Sequence, residues 1–226
     1  MKVKFSPSLM CMDLLNIESE IRKLDTKADF YHVDIIDWHY CKNMSLAPCF
    51  VEAIHKISNV PQDVHLYVDN IDSELVQLCM DSGAEIITMP PEVVERQTYR
   101  LIRQIKAAGK KVGFFINPSA RLDLIEPYID QVDRVLIMTV DPGFAGQKFI
   151  ENSLAKIRQA KEWKEKYSYT YDIAVDGCCN ENYYKVLYEA GAEVFIVGTS
   201  GLFGKDKDTL KALAITEKLI NDAIGQ

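Results

Sequence analysis

One pattern constrains the fold of this chain more than any other: short apolar runs rich in β-branched residues alternate with amphipathic stretches from end to end. The runs predict strands at Val3–Leu9, Phe30–Asp34, Gln62–Leu66, Glu85–Met89, Lys111–Ile116, Arg134–Thr139, Tyr171–Val175 and Val194–Gly198. Between them, apolar residues recur at three- and four-residue intervals, as in Val94–Ala108, Leu154–Tyr167 and Asn182–Ala190, which predicts helices with one buried face. Turn pairs such as Ser82-Gly83, Ala108-Gly109, Asn117-Pro118 and Ala190-Gly191 punctuate the alternation. Strands separated by helices imply a parallel sheet, because parallel neighbours need crossover connections. Eight such units close naturally into a (β/α)8 barrel of the TIM type, and a doubly wound open sheet is the alternative. The polar residues favour the barrel. Ser8, His32 with Asp34, His65, Asp176 and Thr199 lie at the C-terminal ends of different strands, which a barrel gathers at one mouth and an open sheet scatters along an edge.

At 226 residues, 48% hydrophobic and 26% charged, the chain suits one globular domain over residues 1–226. It contains no linker, charge block or low-complexity segment at which to divide it. The net charge of −7 argues against a broad nucleic-acid or acidic-membrane surface, while leaving room for a local pocket for one phosphate. Six cysteines form no CxxC pair, so neither a zinc knuckle nor a disulfide scaffold is indicated. MKVKFSPSLM lacks the apolar core of a secretory signal, and no apolar run reaches transmembrane length. A reduced, cytoplasmic setting is the expectation.

The chemistry-bearing residues begin with His32-Val33-Asp34. Residues two apart on a strand face the same side, so His32 and Asp34 can enter one cavity. His65 ends the next strand motif, Asp63-Val64-His65-Leu66, and Asp176 ends another. Taken singly, each is better explained as a hydrogen-bonded polar residue at a strand end. Together, two imidazoles and two carboxylates make a competent site for a divalent ion such as zinc, manganese or iron(II). Asp141-Pro142-Gly143-Phe144-Ala145-Gly146-Gln147, Asp176-Gly177 and Val197-Gly198-Thr199-Ser200-Gly201 follow the last strands. Their glycines either serve only as turns or let backbone N–H groups approach a phosphate. His39 and His55 lack partners at strand spacing, Cys178-Cys179 suits a buried structural role, and the Lys156–Lys166 stretch suits a solvated helix face.

Over nearly its whole length the sequence resembles the ribulose-phosphate 3-epimerase family. The resemblance is carried by Ser6-Pro7-Ser8, His32-Val33-Asp34, Asp63-Val64-His65-Leu66, Met138-Thr139-Val140-Asp141-Pro142-Gly143-Phe144-Ala145-Gly146-Gln147, Val175-Asp176-Gly177 and Val197-Gly198-Thr199. Within the family, Ser8–Leu15, Asp176–Asn180 and Phe195–Phe203 look closest to enzymes acting on D-allulose 6-phosphate. The resemblance implies that His32, Asp34, His65 and Asp176 hold one divalent ion (Zn, Mn, Fe(II), Co or Mg). It implies that Asp34 and Asp176 are the acid/base pair. It also implies substrate contacts from Ser8, His65, Met138, Asp176 and the phosphate cradle of Gly143, Phe144, Ala145, Gly146, Gly177, Cys178, Gly198 and Thr199. The implied substrate is a small ketose phosphate, and a homo-oligomer is implied with it.

Inverting C3 of a ketose requires removing a proton alpha to the carbonyl and returning one to the other face, a task for two carboxylates. The expected reaction interconverts D-allulose 6-phosphate and D-fructose 6-phosphate, with D-ribulose 5-phosphate and D-xylulose 5-phosphate as the alternative pair. Several positions depart from the family pattern. Asp37 is followed by Trp38 where the family usually has glycine, and Ile36 and Tyr67 stand at two places of a methionine-rich cap of which Met138 remains. Met89-Pro90-Pro91-Glu92 replaces a strand-end histidine. A related decarboxylase would carry an Asp-x-Lys-x-x-Asp motif, which is missing. A non-catalytic sugar-phosphate binder would be expected to lack a ligand, and none is lost.

Overall fold

The computed structural model describes residues 3–225, and their strands form a nine-stranded sheet. Along the chain these are β1 (Lys4–Pro7), β2 (Tyr31–Asp37), β3 (Met44–Ser45), β4 (Gln62–Tyr67), β5 (Ala84–Met89), β6 (Lys111–Ile116), β7 (Arg134–Met138), β8 (Asp172–Asp176) and β9 (Val194–Val197). Neighbours run β1-β9-β8-β7-β6-β5-β4-β2, all parallel, with β3 pairing antiparallel to the end of β2. The ring closes between β1 and β2. Asp29 and Phe30 donate backbone N–H bonds to Phe5, and Ser8 bridges His32 in parallel. Closure leaves no bare edge, and the fold is the expected (β/α)8 barrel.

The helices are α1 (Ile17–Leu24), α2 (Pro48–His55), α3 (Ser73–Asp81), α4 (Pro91–Val94), α5 (Thr98–Ala107), α6 (Ser153–Tyr167), α7 (Tyr184–Ala190) and α8 (Thr209–Ile224). Asp72 starts α3 by accepting the N–H groups of Glu74 and Leu75. Ser168 and Gly191, both left-handed, stop α6 and α7. None of the described helices is long and apolar enough to cross a membrane. All six cysteines are free.

The continuous helix expected over Val94–Ala108 is broken. Gln97 leaves helical geometry and bonds Ile71 O, so α4 and α5 bury Val94 and Leu101-Ile102 from separate directions. The helix expected from Asn182 starts at Tyr184, because Asn180 O collects the Tyr183 and Tyr184 N–H groups in a turn. The first strand stops at Pro7 and Leu9–Cys11 coil into a 3₁₀ turn, whereas β2 continues three residues beyond the expected Asp34 because β4 and β3 both pair with its end.

Strand alternation divides the core in two. Outward residues such as Val33, Val64, Ile87, Val112 and Val135 pack under the helices. Inward residues Phe30, Ile86, Phe115, Leu136, Ala174, Val194 and Ile196 fill the barrel. The barrel floor also holds charge. Arg134 is fully buried and gives Nη1 to Asp63 at 2.7 Å and Nη2 to Asp172 at 3.4 Å. Its guanidinium lies 4.2 Å from the Phe30 ring centre. Thr88 Oγ1 donates to Asp63 at 2.6 Å, and Lys4 holds Asp172 at 2.7 Å. Such charges persist in an interior only when paired and hydrogen-bonded. Gly113 makes the room, since a Cβ there would collide with Thr88 Oγ1.

Candidate active site

Above that floor, β2, β4, β7 and β8 send His32, Asp34, Ile36, Asp63, His65, Tyr67, Met138 and Asp176 inward at two-residue spacing. His32 Nε2 lies 2.7 Å from Asp34 Oδ1 and 3.5 Å from Asp176 Oδ2. The rings of His32 and His65 approach to 4.0 Å between centres. Ser8 Oγ donates to Asp34 Oδ2 at 3.1 Å, and Gly177 N–H donates to Asp176 Oδ1 at 2.7 Å. Gly177 has a φ of +123°, and a Cβ there would sit 2.5 Å from Thr139 Oγ1. Glycine is thus required where the backbone turns its N–H back on the carboxylate.

The field in this cluster is set by the carboxylates. Burial works to lower the His32 pKa, but the attraction of Asp34 and Asp176 outweighs it and raises the group well above the usual histidine range. Burial likewise works to raise Asp176, yet the hydrogen bond and charge of His32 lower it. His65 is lowered by burial and by its proximity to His32, with Asp63 opposing. Tyr67 is raised well above 10 by burial and by the charges of Asp176 and Asp34, so it is a neutral hydroxyl.

Among the described residues, two trios of side chains converge closely enough to hold a metal ion: His32, Asp34 and Asp176, and His32, Asp63 and His65, each with its ligand atoms within 4.8 Å of one another. The ring nitrogens of His32 and His65 are buried and none makes a well-directed hydrogen bond, although His32 Nε2 faces Asp34 and Asp176 and His65 Nε2 faces Asp63. Orphaned imidazole nitrogens facing carboxylates match the donor set of a divalent transition metal. Asp63 already serves Arg134 and Thr88 and lies 3.3 Å from His65 Nε2, the relation of a carboxylate that orients a ligating histidine. The four residues singled out in the sequence, His32, Asp34, His65 and Asp176, therefore do converge.

A cavity of about 270 Å³ opens above them. Asp34, Asp176, Ser8, Met138 and Ile36 line its base and wall; Gly143, Phe144, Ala145, Gly146, Gly177, Cys178, Gly198 and Thr199 line one side. His32 and His65 lie beneath, fully buried, so the cavity itself is not lined by the imidazole of His65, which was expected among the substrate contacts. Local bonds hold the glycine loops. Thr139 N–H and Oγ1 both donate to Asp176 O, Cys178 N–H donates to Thr139 Oγ1, and Asn43 Nδ2 donates to Gly143 O at 2.6 Å. Cys179 is buried as expected, while Cys178 is half-exposed. His39 and His55 are exposed and outside the cavity.

Sequence reasoning gave no role to Asp63, Arg134, Asn43, Met10 or Gln147. Asp63 was detectable, since it precedes His65 by two residues and must share its face. Arg134, at the start of an apolar strand, carries the same signal. Asn43 and Gln147 reach the site through loop geometry that no periodicity encodes.

With this geometry in place, the comparisons with known proteins are specific. The model of the ribulose-phosphate 3 epimerase family matches residues 4–203. The ribulose-phosphate 3-epimerase of Bacillus subtilis is 35% identical over 214 residues, covering 94% of this chain and 97% of that protein. That of Methanocaldococcus jannaschii is 36% identical over 205 residues, covering 90% and 86%. Among solved structures, KGPDC from Streptococcus mutans superposes with a TM-score of 0.75 at 12% identity, covering 99% of each chain. The 3-hexulose-6-phosphate synthase of Salmonella typhimurium gives 0.70 at 17% identity, covering 97% and 99%. At such identities the two structures bear on the fold alone, and both agree with the barrel. The sequence relatives carry more: this chain belongs to the ribulose-phosphate 3-epimerase family and is an epimerase.

Proposed function

We propose that the protein is a divalent-metal-dependent ketose-phosphate 3-epimerase that interconverts D-ribulose 5-phosphate and D-xylulose 5-phosphate, using Asp34 and Asp176 as its acid/base pair within one barrel domain over residues 1–226. The observation that carries the reaction is the arrival of two carboxylates, from β2 and β8, at the base of one small cavity with the buried imidazole of His32 between them. The pentulose phosphate is preferred over D-allulose 6-phosphate because the sequence relatives are ribulose-phosphate 3-epimerases. The wording of Ser8–Leu15 and Phe195–Phe203 keeps the hexulose phosphate as the second reading.

Asp34, steadied by Ser8, takes or returns the C3 proton on one face of the sugar, and Asp176, steadied by Gly177, does so on the other. A divalent ion held by His32, Asp34, His65 and Asp176 supplies Lewis-acid stabilisation of negative charge on the substrate oxygens next to the reacting carbon. Backbone N–H groups of the 143–146 loop and of Gly198 and Thr199 bind the phosphate, while Gly177 and Cys178, whose N–H groups go to Asp176 and Thr139, wall the cradle, so that remote binding energy orients C3. Ile36, Tyr67 and Met138 narrow the cavity around that carbon.

The test is to load the purified protein with Mn²⁺, Zn²⁺ or Co²⁺ and to follow deuterium entry at C3 in D₂O with each ketose phosphate. Exchange and conversion are expected with both, and kcat/KM is expected to be higher for D-ribulose 5-phosphate. Higher kcat/KM for D-allulose 6-phosphate reverses the substrate assignment. No exchange with either refutes the epimerase assignment.

A further inference from the structure

Tyr67 ends β4, two residues beyond His65 and on the same inward face. Its ring is buried, 4.6 Å from that of Phe115 and 5.9 Å from that of Tyr40 between centres, which fixes the direction of the hydroxyl. That hydroxyl has two neighbours: Met138 Sδ at 3.2 Å and Asp176 Oδ2 at 3.4 Å. A phenol has one proton to give, and a carboxylate oxygen is a far stronger acceptor than a thioether sulfur. The proton therefore points at Asp176.

The two reacting carboxylates are thereby held in matching ways. Asp34 Oδ2 receives the Ser8 hydroxyl at 3.1 Å, and Asp176 Oδ2 faces the Tyr67 hydroxyl. The other oxygen of Asp176 is tied to Gly177 N–H at 2.7 Å, and apart from Tyr67 the neighbour of Oδ2 is His32 Nε2 at 3.5 Å, too long to fix its direction. We propose that Tyr67 is a positioning residue for Asp176: its hydroxyl aims Oδ2 at the reacting carbon, and it acts on the proton transfer at that face of the sugar and not on the one served by Asp34. The proposal rests on the two-aspartate reading above.

This makes an asymmetric prediction. Tyr67→Phe keeps the ring and its packing and removes only the hydroxyl. Wild type, Tyr67→Phe and Ser8→Ala are loaded with the same metal, their bound metal is quantified by mass spectrometry, and each epimer is turned over separately in D₂O. For Tyr67→Phe, kcat falls roughly 10- to 100-fold, the worth of one hydrogen bond to a charged group, while KM and bound metal stay at the wild-type level. For the epimer deprotonated by Asp34, the intermediate now waits for Asp176 and returns, so deuterium in recovered substrate rises relative to product. For the other epimer that ratio does not rise. Ser8→Ala shifts the ratio for the opposite epimer. A Tyr67→Phe enzyme with unchanged kcat, or with equal shifts for both epimers, overturns the positioning role while leaving wild-type exchange intact. A wild-type enzyme with no exchange overturns the two-aspartate reading instead.

Discussion

Arg134→Met is the sharpest probe of how the barrel supports its site. The guanidinium is fully buried, and its nearest charge is Asp63 Oδ2 at 2.7 Å, itself fully buried. Methionine keeps most of the volume against Phe30 but leaves the Asp63 carboxylate with the Thr88 hydroxyl and the rings of His65 and His32 near it and no guanidinium. Removing one partner of a buried pair costs roughly 3–5 kcal/mol, because the remaining charge loses its compensation while staying out of water. For a chain of this size each kcal/mol moves Tm by about 2–4 °C, so the expected drop is roughly 6–20 °C. The measurement is urea unfolding and thermal melting of the metal-free protein in EDTA, which removes any stabilisation by bound ion. The double variant Asp63→Leu with Arg134→Met removes both charges together and should recover most of the loss. Single-variant destabilisation under about 1 kcal/mol, the range of an exposed ion pair, would refute the view that this buried pair holds the barrel floor.

Asp176→Asn keeps the shape and one acceptor oxygen for Gly177 N–H but removes the carboxylate that would take the proton; turnover should fall roughly 10²- to 10⁴-fold, with circular dichroism unchanged. Gly113→Ala drives a Cβ into Thr88 Oγ1, whose position is fixed by Asp63, and should cost roughly 1–3 kcal/mol in urea unfolding. The acid limb of stability should report Asp63. Burial works to raise its pKa, but the charges of His65 and Arg134 hold it far below the usual range. A depressed folded-state pKa adds stability that is fully present above about pH 4 and is lost progressively as pH falls further. Asp63→Asn should therefore show a flatter fall in urea midpoint between about pH 4 and pH 2 than wild type; parallel curves would contradict the pairing.

Why part of this was legible in the sequence and part was not follows from range. Strand period and helix period are local, so the barrel and the inward set His32, Asp34, His65 and Asp176 could be read from spacing. The same alternation should have carried Asp63, which sits one step below His65 on β4. It drew no role because its partners, Arg134 and Thr88, lie 71 and 25 residues away, and pairing across strands is a property of register. Boundaries failed where tertiary bonds overrode local preference: Gln97 gives up a continuous helix for Ile71 O, and β2 outruns its apolar core because two strands pair with its end. The Lys156–Lys166 face is less solvated than its charges suggested, since Lys156 reaches the carbonyls of Asn117 and Pro118 and Lys164 pairs with Glu193.

The vertical order of charge in the barrel joins these observations. Lys4, Asp172, Arg134 and Asp63 form an alternating chain across the floor, each charge facing its opposite. Asp63 then stands next to His65, His65 next to His32, and His32 between Asp34 and Asp176 at the cavity. Carboxylates proposed to exchange protons at a barrel mouth must keep their orientation without being neutralised, and a fixed imidazole beneath them does that only if it is itself fixed from below. The floor pairs supply that fixity through Asp63, and the hydroxyls of Ser8 and Tyr67 supply it from the sides. A change at Arg134, remote from the cavity, should thus reach Asp34 and Asp176 through two histidines rather than through the backbone. The loss in that variant should accordingly be larger in kcat than in KM.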